Sequence, residues 1–402
     1  MHAEPFAEWV PSGHGTGSGR CARAPASGSV RPVGVPRHRT RSAGAADRLR
    51  PLSAPLWWDR QRRISAGRAE KREHSTPPGG PNVSGPERRV CSTRAPAHES
   101  DSRRESVDEN AGFRYEPHSA DGRAQTGSTI RTALFCHAAG FTGLVWRSCA
   151  VQLSTPLRVV APDLRGHGGA PPLAEDDDWG VFAEDVLAEA AELGPGPLIG
   201  VGHSLGGTAL LLAEARRPGT FDLLVCFEPI LATHHDPTFA EAAARRRAVF
   251  PSRAEALARY ASRPPLSLLA PEVLADYVDS GLAPDPDGRM RLRCAPEVEA
   301  HLFRTAISCP WRAALPRVTC PTLLLRGGES VVVTRKSLVA ACAELPAGQL
   351  REIPGMDHLG PLTRPAVFAE VLDGLFADFL KSSDPAAPTN PAPLTPTDHR
   401  NA

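Results

Sequence analysis

The chain contains no stretch of 18 or more apolar residues, the length a helix needs to cross a bilayer, so no transmembrane helix is expected. A charged-then-apolar signal peptide is also missing from its start. Nine cysteines occur without one C-x-x-C pair, which argues against a zinc site and, because the count is odd, against a disulfide framework. Cys136 and Cys226 fall inside apolar runs, where a thiol acts as a small hydrophobe. Net charge is nearly absent at +1, but that balance hides two opposed halves. Residues 1–100 carry 17 Lys+Arg against 8 Asp+Glu, and the rest carries 29 against 37.

The first hundred residues also lack any sustained apolar period. A segment so poor in buried-type residues cannot offset its ordering entropy, so residues 1–125 read as a disordered Arg/Pro/Ser-rich segment, or as a reading frame opened upstream of the natural start. Glu4 and Glu8 lie too early for an organelle transit peptide, and no amphipathic stripe accompanies the arginines. Those arginines are scattered rather than clustered with aromatics, so no nucleic-acid partner is expected. Residues 382–402, with Pro385, Pro388, Pro391, Pro393 and Pro396, read as a disordered Pro-rich tail. A soluble, cytoplasmic protein with no membrane partner is the expectation.

Between residues 126 and 381 the pattern changes to an alternation of strands and helices. Short apolar runs at Thr132–Cys136, Leu157–Ala161, Leu198–Val201, Leu223–Phe227, Thr322–Leu325 and Gln349–Ile353 predict strands. Helical patterns intervene at Leu144–Leu153, Trp179–Leu193, after Ser204, at Val331–Leu345 and at Pro365–Leu380. Such alternation predicts an α/β, doubly wound, mostly parallel sheet covered on both faces, with reactive groups at the carboxyl ends of its strands. The interval 233–316 holds helical patterns and no convincing strand, which predicts a helical cap over those ends.

The chemistry centres on Gly202-His203-Ser204-Leu205-Gly206-Gly207, which joins the Leu198–Val201 strand to a helix-prone run. A serine at the apex of such a turn is lifted above the sheet, with small neighbours that avoid collision, and the Leu205 amide faces a developing oxyanion. A serine hydroxyl is a weak nucleophile and needs a histidine base from another strand end. His358, in the loop after the last strand, meets that need. A second oxyanion donor is expected from the loop His137-Ala138-Ala139-Gly140-Phe141, where the Ala139 amide is the candidate.

Those motifs, together with Asp163-Leu164-Arg165-Gly166-His167-Gly168 and Gly355-Met356-Asp357-His358, occur in an order that resembles the α/β-hydrolase family over about 250 residues. The resemblance implies a nucleophile–histidine–acid triad and no cofactor, and gives Asp163–Gly168 a structural role beside the site. Two departures stand out: Ala138 replaces a common glycine, and the acid position is irregular. The acid commonly follows the strand ending at Gly327, three or four residues on, yet Ser330 and Val331 stand there. The candidates are therefore Glu228, after the preceding strand, and the alternative acid Glu329.

The resulting expectation is a serine esterase-like hydrolase acting on a small-molecule substrate through an acyl-enzyme. A non-catalytic ligand-binding protein on the same fold is the alternative. A serine at the elbow argues against dehalogenase or epoxide hydrolase chemistry, which in this family uses a carboxylate nucleophile. His234, His235 and Asp236 lack further metal-ligand neighbours, so no metal is expected. Glu175–Asp178 and Arg245–Arg247 read as solvated faces or loop ends, and Trp146 as packing for the first helix.

Overall fold

The computed structural model describes residues 105–108, 112–116, 131–231 and 237–382. Among the described residues eight strands form one sheet: β1 (Glu105–Asp108), β2 (Gly112–Tyr115), β3 (Arg131–Cys136), β4 (Leu157–Ala161), β5 (Leu198–His203), β6 (Leu223–Phe227), then, after the cap, two more at Thr322–Gly327 and Gly348–Ile353. The order is β1-β2-β4-β3-β5-β6 followed by those last two. β1–β2 and β2–β4 pair antiparallel, and every other neighbouring pair is parallel.

Strands β5 and β6 are buried along their whole length, which explains their near-continuous apolar runs. Side-chain alternation then sorts one strand into two cores. In β3, Ala133 and Phe135 join Trp146, Phe368 and Phe376 on one face. Leu134 and Cys136 join Phe182, Leu210 and Leu324 on the other. The first face is covered by α1 (Arg147–Ala150) and by a long C-terminal helix, Pro365–Ser382; the second by α2 (Gly180–Glu192) and α3 (Leu205–Arg216). Trp146 is fully buried, its ring 5.2 Å edge-on from Phe135, so it packs the first helical segment against the sheet.

Between β6 and the next sheet strand lies the cap: α4 (Pro237–Ala244), β7 (Val249–Phe250), α5 (Arg253–Ala261), α6 (Pro271–Gly281), β8 (Leu282–Pro284), β9 (Met290–Leu292), α7 (Pro296–Thr305) and the short α8 (Trp311–Ala314). The expectation of an all-helical cap is corrected here, because β7, β9 and β8 form a small antiparallel sheet. Strands of two or three residues are too short to show a period of two. The sheet strands after the cap are β10 (Thr322–Gly327) and β11 (Gly348–Ile353), separated by α9 (Arg335–Glu344); α10 (Gly360–Thr363) and α11 (Pro365–Ser382) end the described region. β11 is the outermost strand of the described sheet, and every residue in it is half-buried or exposed.

A second correction concerns residues 105–108 and 112–116, expected within the disordered segment. Phe113 is fully buried and pairs with Ala161, so this stretch extends the sheet beyond β4. The remainder of that segment up to 104, the tail from 383, and His234, His235 and Asp236 lie outside the described residues. Among the described residues no helix is long and apolar enough to cross a membrane.

Candidate active site

Parallel registry brings the carboxyl ends of β3, β5, β6, β10 and β11 to one edge of the sheet: Cys136 pairs with Gly202, His203 with Phe227, Leu325 with Phe227, and Gly327 with Ile353. The turn between β5 and α3 holds Ser204 at φ 54°, ψ −115°, a left-handed conformation that costs a non-glycine residue about 1–3 kcal/mol. Its neighbours hold it there. Ser204 N donates to Phe227 O at 3.0 Å, Gly206 N to His137 O at 3.1 Å, and Thr208 N to Ser204 O at 3.2 Å. A Cβ on Gly202 would stand 2.6 Å from Gly207 Cα, and one on Gly206 would run into the Cys136 carbonyl. The two glycines are therefore required by backbone contact.

His358 donates from Nδ1 to Glu228 Oε2 at 2.7 Å. A carboxylate only accepts, so this partner puts the proton on Nδ1 and leaves Nε2 with a free lone pair. Glu228 is fully buried, also at positive φ (45°), and its amide donates to Leu325 O at 2.8 Å. Two further donors reach its carboxylate: Gly327 N at 2.8 Å on Oε1 and Ser330 Oγ at 2.7 Å on Oε2. Burial of such a group is tolerated because both of its oxygens receive donors. The carboxylate on His358 is thus Glu228, whereas Glu329 has an exposed side chain and donates its amide to Met356 O at 2.9 Å. The His358 loop is also pinned to the elbow, because His203 Nε2 donates to the His358 carbonyl at 2.8 Å with the two rings 5.0 Å apart. Burial, chiefly, holds His203 neutral, well below the ordinary histidine range.

The loop 137–143 is braced by a buried polar network. Leu164 N donates to His137 Nε2 at 2.9 Å, so His137 carries its proton on Nδ1, 2.9 Å from Ala138 O. Gly140 N donates to His167 Nε2 at 2.9 Å, while His167 Nδ1 lies 3.0 Å from Arg165 O. Asp163 spans both loops, accepting from Gly143 N at 2.7 Å and Gly169 N at 2.8 Å. Burial lowers the His137 pKa to about 3, with neighbouring His167 adding to the effect, and burial likewise lowers His167. Asp163 is raised by burial, against the two amide hydrogen bonds that favour its charge. Ala139 sits half-buried at the crest of this loop. Among the described residues, neither Ala139 N nor Leu205 N donates a backbone hydrogen bond.

The cap rests on the same loop. Phe141 packs against Tyr277 with ring centroids 5.1 Å apart, Thr142 Oγ1 meets Ser280 Oγ at 2.5 Å, and Arg147 pairs with the buried Asp276. Arg246 stands at a loop end, one of the two readings given for its triplet, but is not solvated: it pairs with Glu299 and donates to Tyr277 Oη at 2.5 Å. A Cβ on Gly140 would lie 2.8 Å from Glu299 Oε1 and 3.2 Å from Arg246 Nη1. Neighbouring Arg245 and Arg247 are exposed, as expected. Sequence reasoning gave Ser330, His203 and Arg246 no part in the site; of these only Ser330 left a signal, as a hydroxyl where a carboxylate was sought.

Comparison with known proteins bears on the fold and the family. The chain is 26% identical over 290 residues to the sn-1-specific diacylglycerol lipase ABHD11 of Mus musculus, across 69% of this chain and 90% of that one. It is 29% identical over 252 residues to lipase LipV of Mycobacterium tuberculosis, across 60% and 90%. Among solved structures, the peroxisomal alpha-beta-hydrolase Lpx1 of Saccharomyces cerevisiae shares the fold with a TM-score of 0.60 at 20% identity, over 70% of this chain and 85% of its own. Residues 133–371, more than half the chain, match the alpha/beta hydrolase family, and with a serine elbow inside that span and a mostly parallel sheet beneath it, the chain belongs to that family of hydrolases.

Proposed function

We propose that the chain is a serine hydrolase that cleaves an ester-like bond of a small molecule through an acyl-enzyme. Ser204 is the nucleophile, His358 the general base and then acid, Glu228 the carboxylate that orients His358, and the amides of Ala139 and Leu205 the oxyanion donors. The observation that carries this reading is the 2.7 Å hydrogen bond from His358 Nδ1 to buried Glu228, two strand ends that converge beside a serine held at φ 54°. A free Nε2 on an oriented imidazole is what a serine hydroxyl needs in order to lose its proton as it attacks.

In the first half-reaction Ser204 Oγ bonds to the substrate carbonyl carbon and passes its proton to His358 Nε2. The negative oxygen takes the two amide hydrogen bonds, each of which acts most strongly on the tetrahedral intermediate. Collapse breaks the carbon–oxygen bond of the ester, and the alcohol leaves with the proton from Nε2. Water then repeats the sequence against the acyl-serine, releasing the acid and restoring Ser204. The names of the two lipases support an ester as the substrate. Fluorophosphonate labelling tests the reading: wild type should react covalently and Ser204→Ala should not, with a panel of chromogenic acyl esters reporting the preferred acyl length. A folded wild type that neither labels nor turns over any ester returns the chain to the ligand-binding alternative.

A further inference from the structure

The buried hydroxyl of Ser330 has no part in the chemistry above. It sits just past the end of β10, 6% exposed, and donates to Glu228 Oε2, the same oxygen that receives His358 Nδ1; both distances are 2.7 Å. The third donor, Gly327 N, takes the other oxygen. A carboxylate at the end of a Glu side chain turns about a broad, roughly two-fold torsion. One backbone donor on Oε1 therefore leaves the plane of the group loosely set. A second donor on Oε2 fixes that oxygen in space, and with it the line along which the imidazole is held.

Ser330 is itself well anchored. Its amide donates to Gly327 O at 3.0 Å, and its carbonyl accepts from Arg326 Nη2 at 2.6 Å, while Arg326 Nε reaches Val333 O at 3.0 Å. Its Oγ accepts from Val332 N at 3.3 Å. With that acceptor position engaged by an amide, the hydroxyl proton has one partner, the Glu228 oxygen. The Arg326 guanidinium thus staples the loop, the loop aims the hydroxyl, and the hydroxyl sets the carboxylate.

We infer that Ser330 is a positioning residue of the site: it acts on His358 through Glu228, by locking the carboxylate oxygen that orients the imidazole. This rests on the hydrolase reading proposed above. Ser330 touches no reacting atom, so its removal should change the rate of the chemical step and leave substrate binding alone.

The test is a double-mutant cycle on the full chain, with a chromogenic acyl ester as substrate and thermal melts as the folding control. Ser330→Ala should lower kcat about tenfold or more with KM within about twofold, since misplacing an orienting group penalises the transition state. In the Glu228→Ala background the same substitution should change kcat by less than about twofold, because the group through which it acts is gone. A merely structural Ser330 would instead lower kcat by the same factor in both backgrounds, and that result overturns the inference. So does a Ser330→Ala variant within twofold of an active wild type. A wild type with no turnover and no fluorophosphonate label sinks the hydrolase reading and this inference with it, whereas the first two outcomes sink the inference alone.

Discussion

Glu228→Gln is the sharpest probe of the site, because the substitution keeps the shape and changes only which atoms donate. The carboxylate accepts from His358 Nδ1, Ser330 Oγ and Gly327 N. An amide must choose. With its oxygen toward Gly327, that amide keeps its acceptor, but the NH2 then faces both the Ser330 hydroxyl, which loses its acceptor, and His358 Nδ1, which forces the imidazole proton onto Nε2, the tautomer that cannot act as a base. With its oxygen toward His358, the NH2 faces the Gly327 N–H in a fully buried place, an unmet donor that costs about 1–3 kcal/mol. Neither orientation satisfies every buried donor, so only a fraction of the molecules holds the competent tautomer. Even these lack the negative charge that stabilises the imidazolium. The expected loss in kcat is about 10²- to 10⁴-fold, the upper end matching a pure wrong-tautomer site. Fluorophosphonate labelling rate and ester turnover measure it, with a thermal melt to show that the variant is folded. Glu329→Gln, altering an exposed side chain, should stay within about twofold. Folded Glu228→Gln with kcat within tenfold of wild type would refute the reasoning.

Acid should destabilise this protein steeply. His137, His167 and His203 are buried with pKa values lowered chiefly by burial, His137 to about 3, while the unfolded chain titrates near 6.5. Their contribution is complete above about pH 6.5 and is lost as pH falls, by up to about 1.4 kcal/mol per unit for each histidine. Guanidinium melts at pH 7.5, 6 and 5 report it, and a flat profile would exclude buried neutral histidines. At the elbow, Gly206→Ala would drive a methyl group into the Cys136 carbonyl and should cost about 1–3 kcal/mol or more from overpacking, with loss of labelling; an unchanged melt and labelling rate would contradict the close approach.

The core of the fold was readable because its central strands are covered on both faces, so Leu198–His203 and Leu223–Phe227 appear as unbroken apolar runs. The elbow and the His358 loop were readable for a related reason: a strand end followed by small residues has few other uses. The carboxylate was not, since Glu228 and Glu329 each follow a strand, and what separates them is the direction of their side chains. Arg246 looked like its two neighbours in a basic triplet; on the chain emerging from α4, adjacent side chains diverge, and only the middle one turns toward Glu299. β2 was hidden because only Phe113 and Tyr115 anchor it within a polar stretch, and the cap strands because two or three residues carry no period.

The position of β11 has a consequence for how the molecule fails. The imidazole hangs from a loop at the outermost strand of the described sheet, half covered, while the serine stands at its centre. Local opening favours such margins, at free energies well below that of global unfolding. Brief fraying of β11 would leave the His358 loop held only by its bonds to His203 and Glu228, while the two apolar cores stay intact. If His358 is the base, competence depends on the sheet's border, and activity is expected to fade on heating before the fold melts.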